Sequence, residues 1–238
     1  MTFYIPKSAL LAAVAVLSVA LCGCSSKSTP TPDPSSSSKG QAASQVCGSL
    51  LNGEPASALE RLTGSKHFAE SSLALDEKVR SLSEAKQKLL GDSSFAHRGK
   101  EFDLCLPVAT DEFTGGQLTI SAQWIKVRAG DHTWKGTNGW TVFDIVGDGE
   151  RDASAPYASA ASDTSQLDFR CPVGPGREQS TAISVVIATY KLNQNHDAQA
   201  PQDLTRIGYG TAVKLAKQMN CLQASKLPAT LGNLKKFT

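Results

Sequence analysis

The chain of 238 residues is long enough for one large domain or two small ones. Its 24 Lys and Arg stand against 22 Asp and Glu for a net charge of +2, too even a field to draw nucleic acid or anionic lipid by charge alone. With 40% hydrophobic and 6% aromatic residues there is material for a packed core, and the composition excludes a polytopic membrane protein, a coiled coil and a collagen-like rod.

Residues 1–23 place one cation, Lys7, ahead of the apolar stretch Ala9–Leu21 and the small residue Gly23, the order of a secretory signal peptide. The stretch is about thirteen residues long, short of the roughly twenty that a spanning helix needs. Leu21-Cys22-Gly23-Cys24 resembles a bacterial lipobox, in which an aliphatic residue and two small ones precede the cysteine that takes the lipid. Cys24 is the predicted lipidation site, because at Cys22 the bulky Leu21 would stand where the signal peptidase needs a small side chain. A diacylglycerol thioether with an acylated amine supplies two or three chains. At about 0.8 kcal/mol per buried methylene, two chains already anchor stably where one does not. The resemblance implies attachment to the cell membrane on its extracytoplasmic face; the alternative is a secreted protein without lipid.

Residues 24–45 are dominated by Ser, Thr, Pro, Lys and Gln. They offer almost no apolar area against the entropy of ordering, which predicts a disordered tether. Its prolines favour extension toward ~3 Å per residue, enough to hold a folded part tens of ångströms from a bilayer. Residues 46–238 then read as a single domain.

Within that domain Pro55–Leu62 predicts a short helix with proline in its first turn. Ala74–Leu90 predicts a longer one: Val79, Leu82, Ala85 and Leu89 make a stripe, Asp76–Arg80 and Glu84–Lys88 are i,i+4 pairs, and Gly91 is the stop. Strand alternation follows at Phe102–Val108 and at Leu118–Trp124, where Gln117, Thr119, Ser121 and Gln123 form the polar face. Trp140–Val146 predicts a third strand, and residues 147–166 a long loop. Strand order returns at Leu167–Cys171, and Thr181–Leu192 reads as a central strand covered on both faces. Leu204, Ile207, Thr211, Leu215 and Met219 make a last helical stripe, with Ala212 and Ala216 permitting close approach to a sheet. FDLCLPV at 102–108 and LDFRCPV at 167–173 look alike, either as a faint repeat or as two strands meeting one packing demand. Helices at both ends and strands between predict α+β, an antiparallel sheet of about five strands packed against N-terminal and C-terminal helices.

Past the lipobox the cysteines are Cys47, Cys105, Cys171 and Cys221, spaced by 58, 66 and 50 residues with no CxxC. An even number in an exported chain predicts two disulfides and argues against a zinc ribbon or a thioredoxin-type pair. Three pairings are open. Cys47–Cys105 with Cys171–Cys221 is favoured, since each would pin a helix-bearing segment to a nearby strand.

The chemistry-bearing residues are sparse. His67, His97, His132 and His196 are scattered, and no serine lies in GxSxG, so no catalytic residue is assigned and a triad could form only across distant segments. Asp144, Asp148, Glu150 and Asp152 place oxygen ligands at the alternate positions that suit Ca²⁺, yet lack the glycine and distal glutamate of an EF-hand and read better as a solvated turn. GPGRE at 174–178 has the glycines for an anion cradle but leads into a strand rather than a helix. Neither a metal nor a cofactor is expected. The candidate binding surface is the connection from Lys126 to Trp140, which carries Arg128, His132, Trp134 and Lys135 among turn formers. An exposed tryptophan among cations suits a sugar ring or a protein partner, the alternative being that Trp134 folds back over the sheet edge.

Together the lipobox, the tether, CGSLL…ALERLTGSKHF and AVKLAKQMNCLQASKLP resemble a family of uncharacterised actinobacterial lipoproteins of streptomycete type, over most of residues 47–231. The family's similar four-cysteine pattern implies disulfides, and it brings no activity or catalytic residue. The expectation is a lipid-anchored, non-enzymatic domain that binds an envelope protein or a wall component and does not bind nucleic acid. A small-ligand binding protein with a pocket between helices and sheet is the second expectation, and a hydrolase with an unrecognised site the third.

Overall fold

In the computed structural model, residues 40–71, 81–92, 99–111, 116–127, 136, 138–146, 155–174, 181–190 and 198–237 are described. The centre of the sheet is the antiparallel pair of β4 (Gln117–Lys126) and β8 (Thr181–Tyr190), in continuous register from Gln117 opposite Tyr190 to Lys126 opposite Thr181. Outside β8 follow β7 (Thr164–Arg170), β6 (Tyr157–Ala160), β5 (Thr141–Asp144) and the two-residue β9 (Lys235–Lys236). On the other side β2 (Phe102–Cys105) and β3 (Pro107–Ala109) pair with β4, and β1 (Phe68–Glu70) pairs with β3. Every pairing is antiparallel.

The described sheet thus has nine strands rather than about five. The additions are β1, β6 and β9, and the expected strand over 102–108 is broken between β2 and β3 after a register shift between Asp103 and Cys105. The predicted 147–166 loop already holds β6 and the start of β7. Its strand is Tyr-Ala-Ser-Ala, poor in β-branched residues, and all four positions are buried. Ala158 and Ala160 lie on the helix-bearing face, where α3 packs on β6 and a larger side chain would hold the helix away.

In α1 (Glu54–Thr63) proline occupies the first turn, and Gly64, at φ 68, closes the end by donating to the Glu60 carbonyl. α2 (Leu82–Gly91) starts where Ser81 caps the Glu84 N–H, a Ser-x-x-Glu capping sequence. The predicted helix over 74–90 therefore begins at Leu82 in the described chain, and residues 74–80 lie outside it. α3 (Ala200–Gln218) carries the expected stripe, with Leu204, Ile207, Thr211, Ala212, Leu215 and Ala216 all buried. Of the three described α-helices, α3 packs on β6, β7 and β8, α2 on β2, and α1 packs on α3.

The core lies between these helices and the sheet face made of Leu118, Ile120, Ala122 and Trp124 on β4, Ile183, Val185 and Ile187 on β8, and Leu167 and Phe169 on β7. Burying each of the leucines, isoleucines, valine and phenylalanine among them contributes roughly 1.5–3 kcal/mol. Trp124 is fully buried beneath α2, and its Nε1–H donates to the Leu89 carbonyl at 2.6 Å. Folded structure begins ahead of Val46: Gln41 bridges to Phe68 and Ala43 is buried. Gly40 has to be glycine there, because a Cβ would strike the Phe68 backbone and the Thr110 hydroxyl.

β8 is central, as expected, though its two faces differ. Ile183, Val185 and Ile187 are sealed along its length, whereas on the other side Ala182 and Ser184 are buried and Tyr190 is 63% exposed. FDLC and LDFRC occupy matching places, one strand outside β4 and one outside β8, each carrying a paired cysteine.

Candidate functional site

The four cysteines pair as favoured, Cys47 with Cys105 and Cys171 with Cys221, at Cα separations of 5.5 and 5.2 Å. Each joins a helical flank to the sheet: Cys47 lies in a short 3-10 turn (Val46–Ser49) ahead of α1, and Cys221 follows α3. Both staples are on the helix side. Cys171 and Cys221 are buried, as is Cys105, while Cys47 is only half-buried and has the left-handed backbone φ 64, ψ 33.

Beside Cys47 is a cavity of about 140 Å³, lined by Cys47, Gly48, Leu50, Glu70, Ser81, Leu82 and Leu104. It is the kind of space expected between helices and sheet, walled by leucines and a disulfide, with one carboxylate and the cap of α2 as its polar groups. Ligand sites for drug-sized molecules run to about 300–1,000 Å³, so this one suits a group of only a few heavy atoms. Leu50, one of its lining residues, accepts at its backbone carbonyl from Lys214 Nζ of α3 at 2.8 Å. Burial, helped by Lys217, keeps that amine below the usual lysine range. Sequence periodicity missed this site because its walls come from four separate segments.

His67, alone among the four histidines, lies in the described chain. Asp111 sits between it and Ser65: the Ser65 hydroxyl donates to Asp111 Oδ2, the Lys66 N–H reaches the same oxygen at 3.2 Å, and His67 Nδ1 is 3.3 Å from Oδ1. Ser65 Oγ also accepts from the His67 N–H at 3.1 Å. A nucleophilic serine hands its proton to an imidazole that a carboxylate orients behind it. Here the acceptors within reach of the hydroxyl are the Asp111 carboxylate and, at 2.8 Å, the His67 backbone carbonyl, and the cluster serves as a clasp holding the α1–β1 turn against the end of β3. Those hydrogen bonds, the Ser65 hydroxyl first, hold the Asp111 carboxyl below its usual range.

On the sheet face away from the helices, Gln123, Ser184, Asp168 and Tyr157 stand side by side on β4, β8, β7 and β6. All four are buried, with Asp168 at 2% and Ser184 at 1% exposure. Asp168 accepts from the Gln166 side-chain amide at 3.0 and 2.8 Å, whereas the Ser184 hydroxyl has no hydrogen-bond partner among the described residues. The signal was present in the sequence as polar residues at period two in successive strands, but only the register shows that they form one row.

Arg128, His132, Trp134 and Lys135 lie outside the described residues, as do Cys24, Asp148, Glu150, Asp152 and residues 175–178 of the GPGRE segment. Asp144 is at the end of β5, opposite Lys235. Among the described residues no group of three or more His, Cys, Asp or Glu could hold a metal ion, and no helix is long and apolar enough to cross a membrane. Comparison with family models, curated proteins and solved structures gives no match to this chain.

Proposed function

We propose that this chain is an extracytoplasmic lipoprotein, anchored through Cys24, whose α+β domain binds an envelope protein or wall component without catalysis. The observation that carries the reading is the pair of cysteine staples: both helical flanks are tied to the sheet by bonds that persist in an oxidising compartment and are rare in a reducing one. Leu21-Cys22-Gly23-Cys24 and the resemblance to actinobacterial lipoproteins support the anchor. Arg128, His132, Trp134 and Lys135, on the connection between β4 and β5, are the proposed contact surface.

The test is expression in a bacterium that processes lipoproteins, followed by detergent-phase partitioning of the parent and Cys24→Ala and by thiol titration of the exported product. The parent should enter the detergent phase, Cys24→Ala should stay aqueous, and Cys47, Cys105, Cys171 and Cys221 should be blocked to alkylation. Equal partitioning, or free thiols at those four positions, overturns the reading. The cavity beside Cys47 favours a second reading, a binding protein for a very small ligand.

A further inference from the structure

We infer that Cys47–Cys105 is a thiol-exchange site that accepts small thiols through the adjoining cavity, while Cys171–Cys221 is closed to them. Exchange requires a thiolate to reach one sulfur of the bond and push out the other. Cys47 lines the cavity and is half-buried, so an incoming group has room on its side of the bond. Cys105 is fully buried behind it, and Cys171 and Cys221 are both sealed in the core.

The direction of attack follows. A thiolate RS⁻ bonds to Cys47 Sγ, the Cys47–Cys105 bond breaks, and Cys105 departs as a thiolate that takes a proton from water. The product is a mixed disulfide on Cys47. A second RS⁻ can then attack the R sulfur, giving RSSR and reduced Cys47; alternatively Cys105 attacks Cys47 again and expels RS⁻. Two thiols thus supply the two electrons of full reduction, and the co-reactant is a thiol small enough for a cavity of about 140 Å³.

The opened pair remains positioned to close again. The segment bearing Cys47 is docked independently of the bond by the buried Ala43, Val46, Leu50 and Leu51, and by Lys214 on the Leu50 carbonyl. Reduction therefore releases the left-handed Cys47 backbone without detaching its neighbours.

The experiment uses the full oxidised chain, with free thiols first blocked by maleimide. It is exposed under native conditions to 2-mercaptoethanol or to glutathione, quenched with acid, labelled with heavy maleimide in denaturant so that buried thiols react, and mapped by peptide mass spectrometry. The expected result is a 2-mercaptoethanol adduct on Cys47 and labelled Cys105 at least tenfold ahead of label at Cys171 or Cys221, with glutathione slower at the first pair. Leu82→Phe, which narrows the cavity, should slow the first pair several-fold and leave the second unchanged. Opening of both pairs together, at the rate of global unfolding followed by tryptophan fluorescence, overturns the inference. So does an adduct that sits on Cys105, or equal rates for both thiols.

Discussion

The Asp203 carboxylate, 3% exposed on α3, is gripped by Arg61 of α1, whose Nη2 lies 2.7 Å from Oδ1 and whose Nε lies 3.2 and 3.3 Å from the two oxygens. Arg61 also reaches Glu54 at 2.8 Å, and Arg206 meets the same glutamate at 3.3 Å, so four charges lock the two helices side by side. The Asp203 hydrogen bond above all raises the Arg61 pKa still further, and the guanidinium stays protonated at any working pH.

Removing the arginine leaves a carboxylate out of water with, among the described residues, only Arg206 Nε near it at 3.9 Å. Breaking a fully buried pair this way costs roughly 3–5 kcal/mol; because the Arg61 side chain is 45% exposed, we expect about 2 kcal/mol for Arg61→Ala. Asp203→Asn, which removes the charge and keeps the shape, should lose less. Urea unfolding of the two variants and their double mutant reads the difference, and equal losses would show that the charge is not what matters.

Two glycines of α3, two residues apart and so on nearly opposite sides of the helix, should respond in opposite senses to alanine. At Gly208 a Cβ would meet Ile187, Ser165 and Leu167 at 3.7–3.8 Å, ordinary contact, so Gly208→Ala should stabilise by about 0.5–1 kcal/mol through helix propensity. At Gly210 the Cβ would run into the rigid Pro55 ring of α1, and Gly210→Ala should destabilise by about 1–3 kcal/mol. Thermal unfolding of both variants settles the sign.

Asp111 predicts a pH dependence. Its carboxyl titrates below the usual range in the folded chain, so its contribution is fully present above the unfolded value, near 3.9. That contribution is lost as pH falls through the lowered folded value. Stability of the parent should therefore drop more steeply than that of Asp111→Asn below about pH 4. Parallel curves from pH 5 to 2 would remove the clasp from the account of acid unfolding.

Ser184→Ala should stabilise. The hydroxyl is sealed from water and has no partner among the described residues, a state that costs about 1–3 kcal/mol, part of which a methyl-sized side chain recovers. A gain of about 1 kcal/mol in chemical denaturation is expected; a loss would mean that the hydroxyl is satisfied in solution.

Where periodicity and punctuation agree, the sequence was readable. Thr181–Tyr190 and the Leu204–Leu215 stripe emerge from apolar spacing alone, because burial of one face enforces the pattern. β6 was hidden because its small residues answer to the closeness of α3 rather than to strand propensity, and β1 and β9 because three and two residues carry no period. The disulfide pairing followed from which flanks needed tying down. The cavity, the Ser65–Asp111–His67 clasp and the Arg61–Asp203 grip arise between residues up to 142 positions apart, and no local pattern encodes such meetings.

The Gln41–Phe68 bridge and the Cys47–Cys105 bond also set how the domain would bear a pull applied at its upstream end. The first gives way easily, two hydrogen bonds peeling at an edge. The second is covalent and delivers tension past β1 to β2, which pairs directly with central β4, so the load arrives where strand shear is most strongly resisted. With that bond open, the same traction would fall on the hydrophobic docking of one short turn.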